Sequence, residues 1–167
     1  DFLNVTPTAN LSNKDAEATE PGIVGLVNGL HNMMYNYNFE QVFSYGFPSM
    51  NVQLDMLGDD GINTKPAYHM ATYRWQDHRD RTDNDKSLTY KAWDGYYTLI
   101  LHANKAIAGY RTILPEEERK HVATRYAYGE ALAIRAYAYH QLVQLFAKRY
   151  RAATAATDLG VILRTDK

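Results

Sequence analysis

The densest run of side chains able to do chemistry is "YHMATYRWQD", in which Tyr68, His69, Tyr73, Arg74, Trp75 and Asp77 fall within ten residues. Flat rings stack on the C–H face of a sugar, while guanidinium, imidazole and carboxylate groups hydrogen-bond its hydroxyls. That mixture suits oligosaccharide recognition. One stacked ring adds about 0.5–1.5 kcal/mol beyond its buried area, so a few shallow contacts would give weak, readily released binding. The competing reading has Tyr73 and Trp75 tethering this segment to neighbouring helices, and on residue types alone it is the stronger.

Other chemistries find little support. Asp83, Asp85 and Asp94 are spaced faintly like a calcium loop, but the turn lacks its glycine and the last ligand is the shorter acid. An N-cap cluster before Lys86 is the simpler reading. "GDDG", with Asp59 and Asp60, reads as a turn before it reads as a hard-cation site. His31, His69, His78, His102, His121 and His140 lack metalloprotease spacing, and there is neither a Gly-rich phosphate loop nor a nucleophile elbow. Nothing singles out a carboxylate pair for glycoside hydrolysis. The residues point to no metal, no cofactor and no catalysis. "KRYR" (Lys148 to Arg151) is a short basic knot, read as complementing a helix C-terminal dipole rather than as a phosphate site.

These side chains need elements to position them. Ile23, Leu26, Val27, Leu30, Met33 and Met34 form a 3-4 stripe, and Pro21 suits a first turn, which predicts a helix over 21–36. Phe47, Met50, Leu54 and Leu57 predict a second over 48–57. From Gly58 to Asp85 no period is sustained, and the reading is one long loop, the kind that in compact domains is functional or disordered. Ala92, Trp93, Tyr96, Leu99, Ile100, Ala103, Ile107 and Tyr110 share one face of a third helix beginning near Lys86. Pro115, followed by acids, starts a fourth that is read as running to Tyr150, near 36 residues and ~54 Å, with a bend at Gly129. The ends of the chain read as extended.

The fourth helix is the most demanding. Leu132, Ala136, Tyr139, Val143, Phe146 and Tyr150 make one stripe; Ala131, Ile134, Ala138, Leu142 and Leu145 make another. Together they cover roughly 200°, twice the ~100° of a helix lying on one surface, so neighbours are expected on at least two sides. If the natural chain continues, an open apolar surface along this helix follows. Arg135 falls inside the arc and requires a charge or carbonyl partner. Asn104, on the packed face of the third helix, is expected to tie down a loop carbonyl.

The 167 residues are enough for one domain, with 46% hydrophobic and 22% charged residues, ordinary globular chemistry. A net charge of −1 gives no general reason to expect nucleic acid. No apolar run approaches a membrane span. Cysteine is absent, which removes disulfides and thiol chemistry. Fourteen tyrosines are the oddity of the composition, and by themselves they favour helix packing.

The opening "DFLNVTPT", then "YKAWDGYYTLILHANKAI", "GEALAIRAYAYHQLVQLFAKRY" and the closing "DLGVIL" stand in the order found in SusD/RagB-type proteins, which this chain resembles. Trp93, Tyr96, Ala103 and Asn104 match that family's Trp…Tyr…Ala-Asn helix. Gly129, Glu130, Ala131, Arg135, Ala136, Tyr139, Leu142, Val143 and Phe146 match its Gly-Glu-Ala…Arg-Ala…Tyr helix, and Gly160 and Val161 its Gly-Val strand. Ala147 stands where the family usually has glycine, and "RAATAATD" replaces the usual loop. The lipidated cysteine expected before Asp1 is not in the sequence.

The resemblance implies an all-α, tetratricopeptide-like helical-repeat superhelix with long loops and short extended termini. Residues 1–167 would form the N-terminal helical domain of a longer chain. It implies a lipid-anchored, surface-exposed outer-membrane protein that binds oligosaccharide, or peptide in some members. Such a protein delivers its cargo to a TonB-dependent transporter barrel of SusC/RagA type and is not an enzyme. A helical-repeat adaptor binding another protein is the alternative from a different class.

Overall fold

The computed structural model describes residues 17–36, 46–59, 61–62, 64, 70–76 and 88–165. The described residues are helical, with no strand among them: α1 (Glu20–Asn36), α2 (Gly46–Asp55), α3 (Met70–Tyr73), α4 (Leu88–Ala108), a π-helical turn (Gly109–Ile113), α5 (Glu116–Arg119) and α6 (Val122–Phe146). The all-α reading holds, and the Gly160-Val161 segment is extended without pairing into a strand.

Local chemistry explains where the helices start and stop. Thr19 caps α1, its hydroxyl accepting from the Gly22 N–H at 3.3 Å. Gly46 opens α2 at φ +70°, where a Cβ would lie 2.4 Å from the Tyr35 carbonyl at the end of α1. Glycine is required there both for the left-handed backbone and for the close approach.

The long fourth helix is corrected to two. α5 is four residues, the chain extends at His121 (φ −65°, ψ 143°), and α6 has 25 residues, or roughly 38 Å at ~1.5 Å per residue. Side chains reward the break. Thr124 donates its hydroxyl to the Glu118 carbonyl at 2.6 Å, and Arg119 Nε donates to the Leu114 carbonyl at 2.9 Å, so side-chain donors hold the backbone on both sides of α5. The predicted bend at Gly129 falls inside an uninterrupted helix.

α4 and α6 pair antiparallel, as matched contacts along them show. Trp93 meets Phe146 edge-on at 5.0 Å near one end, and Tyr110 stacks on Tyr128 at 4.2 Å near the other. α1 lies across both and runs parallel to α6, with Glu20 against His121 and His31 against Glu130. The Glu118 carboxylate also accepts from the Glu20 N–H, so α5 caps the start of α1. The core forms where these three helices meet, with Ile23, Val27, Leu30, Tyr96, Leu99, Ile100, Ala131, Ala138 and Leu142 all at most 1% exposed. α2 closes one flank, Phe47 packing on Tyr96 at 4.9 Å.

Only one of the two stripes on α6 is buried. Ala131, Ile134, Ala138 and Leu142 face the core, where the alanines let backbones approach. The other stripe is covered in part. Phe146 and Tyr139 are half-buried, whereas Val143 is 46% exposed and Tyr150, beyond the helix end, is 79% exposed. The expected neighbours on two sides are α1 and α4, and residue Arg164 of the closing segment covers part of the second stripe at Tyr139. Part of the helix stays open, since Val122, Tyr126 and Val143 face solvent.

Candidate functional site

Within the stretch read as one long loop, the chain makes a turn of helix, α3, and closes it in a specific way. The Gln76 N–H donates to the Ala71 carbonyl and the Trp75 N–H to the Thr72 carbonyl, both at 2.9 Å. This is the paired closure of a Schellman motif, and it demands a left-handed residue at the position Trp75 occupies. Trp75 takes it, at φ 59°. Left-handed backbone costs a side-chain-bearing residue roughly 1–2 kcal/mol, which is why glycine usually stands there. Thr72 is 1% exposed and anchors the turn, while the Trp75 ring remains 51% exposed. The closure therefore fixes the Trp75 backbone in the left-handed region and leaves its side chain half-exposed.

Of the six residues singled out in this stretch, the structure brings together three. Tyr73 is half-buried, and Arg74 and Trp75 are exposed, on consecutive positions of the turn. Tyr68, His69 and Asp77 lie outside the described residues, as do Asp60, Asp83 and Asp85. Asp59 sits in an exposed bend. Among the described residues no three His, Asp or Glu side chains gather closely enough to hold a metal ion.

The family-motif residues build a clasp. Arg135 Nη1 donates to Asn104 Oδ1 at 2.9 Å, and Asn104 Nδ2 donates to the Arg164 carbonyl at 3.1 Å. Both expectations from the sequence are met in one chain of hydrogen bonds: the arginine finds an amide carbonyl, and the asparagine ties down a backbone carbonyl. Two phenols add to it. Tyr139 donates to the Arg164 carbonyl and accepts from the Arg164 N–H; Tyr97 donates to the Ile162 carbonyl at 2.7 Å. The closing extended segment thus lies on the α4–α6 face held by side chains, which period-based reading could not reveal. Trp93, 37% exposed, roofs this face between Tyr97 at 4.7 Å and Phe146. Glu130 pairs with His31, and Gly129 is exposed.

Electrostatics agree with these placements. Burial pushes the Tyr96 phenol far above its ordinary value, with the Tyr137 phenol acting in the same direction. Although Tyr137 is near, the Tyr96 hydroxyl has no aligned hydrogen-bond partner among the described residues. Burial likewise raises Tyr97 against the opposing bond to Ile162. His102 is held below the usual imidazole range by burial and then by Lys105.

The basic knot differs from its reading. α6 ends at Phe146, Ala147 is extended, and Lys148 turns away to pair with Asp158 at 2.8 Å instead of capping helix carbonyls. Lys148 first, and then Thr154, hold the Asp158 carboxyl below its usual range. Asp158 is ten residues from Lys148 on the far side of an alanine-rich turn, a separation that no helical or strand period marks.

A family model of SusD-like proteins, described as starch-binding and associating with the outer membrane, matches residues 1–165. The chain belongs to this SusD-like family. No curated protein and no solved structure matches it. The match spans both the clasp and the Trp75 turn, so the two lie within the SusD-like domain. The family is one of binding proteins, in keeping with a site built from rings and hydrogen-bonding groups. No helix among the described residues is long and apolar enough to cross a membrane.

Proposed function

We propose that this SusD-like protein captures oligosaccharide at the cell surface through the turn carrying Tyr73, Arg74 and Trp75. It then hands the cargo to a TonB-dependent transporter barrel of SusC/RagA type. The observation that carries the reading is the left-handed Trp75 with its half-exposed ring. Either role needs a ring that glycine cannot supply, and the half-exposed indole held on a closed turn is what a sugar platform requires. Arg74, beside it and exposed, supplies donors for sugar hydroxyls. Residues 1–167 act as an N-terminal helical domain, with a lipid anchor upstream for the membrane association that the family description names. Tyr68, His69 and Asp77 would complete the contact.

Affinity gel electrophoresis in soluble starch tests this. The wild-type chain should be retarded, and Trp75→Ala should migrate as it does in a gel without polysaccharide. Equal retardation of the two would refute the platform. Retention of a peptide library in place of any glycan would redirect the same turn to peptide cargo. Co-purification with a membrane barrel supports delivery, and a soluble helical partner supports the adaptor alternative.

A further inference from the structure

Beyond α6 the chain forms a concavity of about 330 Å³ lined by Lys148, Arg149, Arg151, Thr154 and Asp158. Its volume falls at the lower end of small-ligand sites, enough for one sugar unit. The turn behind it is fixed by its own hydrogen bonds. The Thr154 N–H donates to the Arg151 carbonyl at 3.1 Å, and the Thr157 and Asp158 N–H groups donate to the Thr154 carbonyl, both at 2.9 Å. The Thr154 hydroxyl donates to Asp158 Oδ2 at 2.6 Å, and Lys148 to Oδ1 at 2.8 Å, so the one carboxylate in the lining is already satisfied. Arg149 and Arg151 have no carboxylate partner among the described residues. Two arginines thus line an open cavity with a surplus of positive charge, in a chain whose net charge is −1.

We propose that this cavity is a second carbohydrate subsite, separate from the Trp75 turn, which takes the carboxylate of an acidic sugar unit. Guanidinium forks match a carboxylate with two parallel hydrogen bonds. Of the anions such forks could hold, a sugar acid is the one whose ring, as one sugar unit, matches the volume of the cavity. The cavity rests on the reading of the chain as a glycan binder, but its ligand is charged where starch is neutral.

Isothermal titration with trigalacturonate, its methyl ester and maltotriose tests the subsite on the whole chain. The expected result is binding of trigalacturonate that weakens at least tenfold in the Arg149→Ala/Arg151→Ala variant. It should weaken likewise on esterification of the carboxylates, and fall with added salt. Maltotriose binding should be unchanged by the double substitution, which also controls for folding. Trigalacturonate binding that is equal in wild type and variant, or equal for the acid and its ester, overturns the subsite. So does arginine-dependent binding to vesicles of phosphatidylglycerol without binding to trigalacturonate, which would assign the pair to a lipid headgroup. Maltotriose binding without trigalacturonate binding sinks the subsite alone. Arginine-dependent trigalacturonate binding without maltotriose binding keeps it and sinks the neutral-sugar reading of Trp75. Loss of both ligands in wild type rejects the two together.

Discussion

Trp75 poses the sharpest question at the scale of one residue: platform or tether. Trp75→Gly separates the two. The substitution relieves roughly 1–2 kcal/mol of left-handed strain, against about 0.5–1 kcal/mol for glycine's greater freedom in the unfolded chain. A ring that serves a ligand can be removed with stability unchanged within about 1 kcal/mol, the balance of those two terms. A half-buried ring that serves as a tether would cost about 1.5–2.5 kcal/mol, half of the ~3–5 kcal/mol of a buried Trp truncation. Urea denaturation of both proteins gives the answer. Tyr96 offers a second test. Its ring fills the core at 0% exposure, but its hydroxyl lacks an aligned partner among the described residues. An unsatisfied buried hydroxyl costs about 1–3 kcal/mol in mutational data. Tyr96→Phe should therefore be as stable as wild type or more so. A loss above about 1 kcal/mol, the usual worth of one net hydrogen bond, would mean that the hydroxyl has found a partner.

Between elements, the clasp joins α4, α6 and the closing segment through side chains alone. Arg135→Met keeps the stem that packs in the apolar arc and removes the donor to Asn104 Oδ1. The buried amide then loses a charge-assisted bond, and stability should fall by about 1.5–3 kcal/mol. Limited proteolysis should report the same event locally, with cleavage near Ile162 to Arg164 faster than in wild type. An unchanged cleavage pattern would mean that the Tyr97 and Tyr139 bonds hold the segment without Asn104. Asn104 and Arg135 were legible as residues in need of partners, because each places a polar group on an apolar face. Their common target, the Arg164 carbonyl, was not legible, because it lies 60 residues from Asn104 in a segment without period.

For the whole molecule, acidification acts through His102. Burial and Lys105 lower its folded pKa relative to the unfolded chain, so the unfolded state binds the extra proton between the two values. The stability contributed by neutral His102 is complete above the unfolded value of about 6.5 and is lost as pH falls through the lower folded one. Denaturation midpoints measured at pH 7.5 and pH 5 should therefore differ by less in His102→Gln than in wild type. Identical differences would assign the pH dependence elsewhere. The open surface is also a property of the whole. Val122, Tyr126 and Val143 on α6, and Leu159, Ile162 and Leu163 beyond it, all carry their apolar side chains exposed.

The boundaries between what was and was not readable follow from range. Periodicity and helix signals determined α1, α2, the packed face of α4 and the alanine-bearing core stripe of α6, because neighbours three and four residues apart decide which face is apolar. The break at His121 and the choice between the two stripes of α6 were decided by tertiary structure. Both depend on carbonyls and helices that meet only once α1, α4 and α6 pack together. The same holds for Trp75, whose left-handed backbone no residue type announces, and for Asp158, which reaches Lys148 only across a folded turn. What a residue needs was written in its neighbourhood along the chain; which partner meets that need was settled in space.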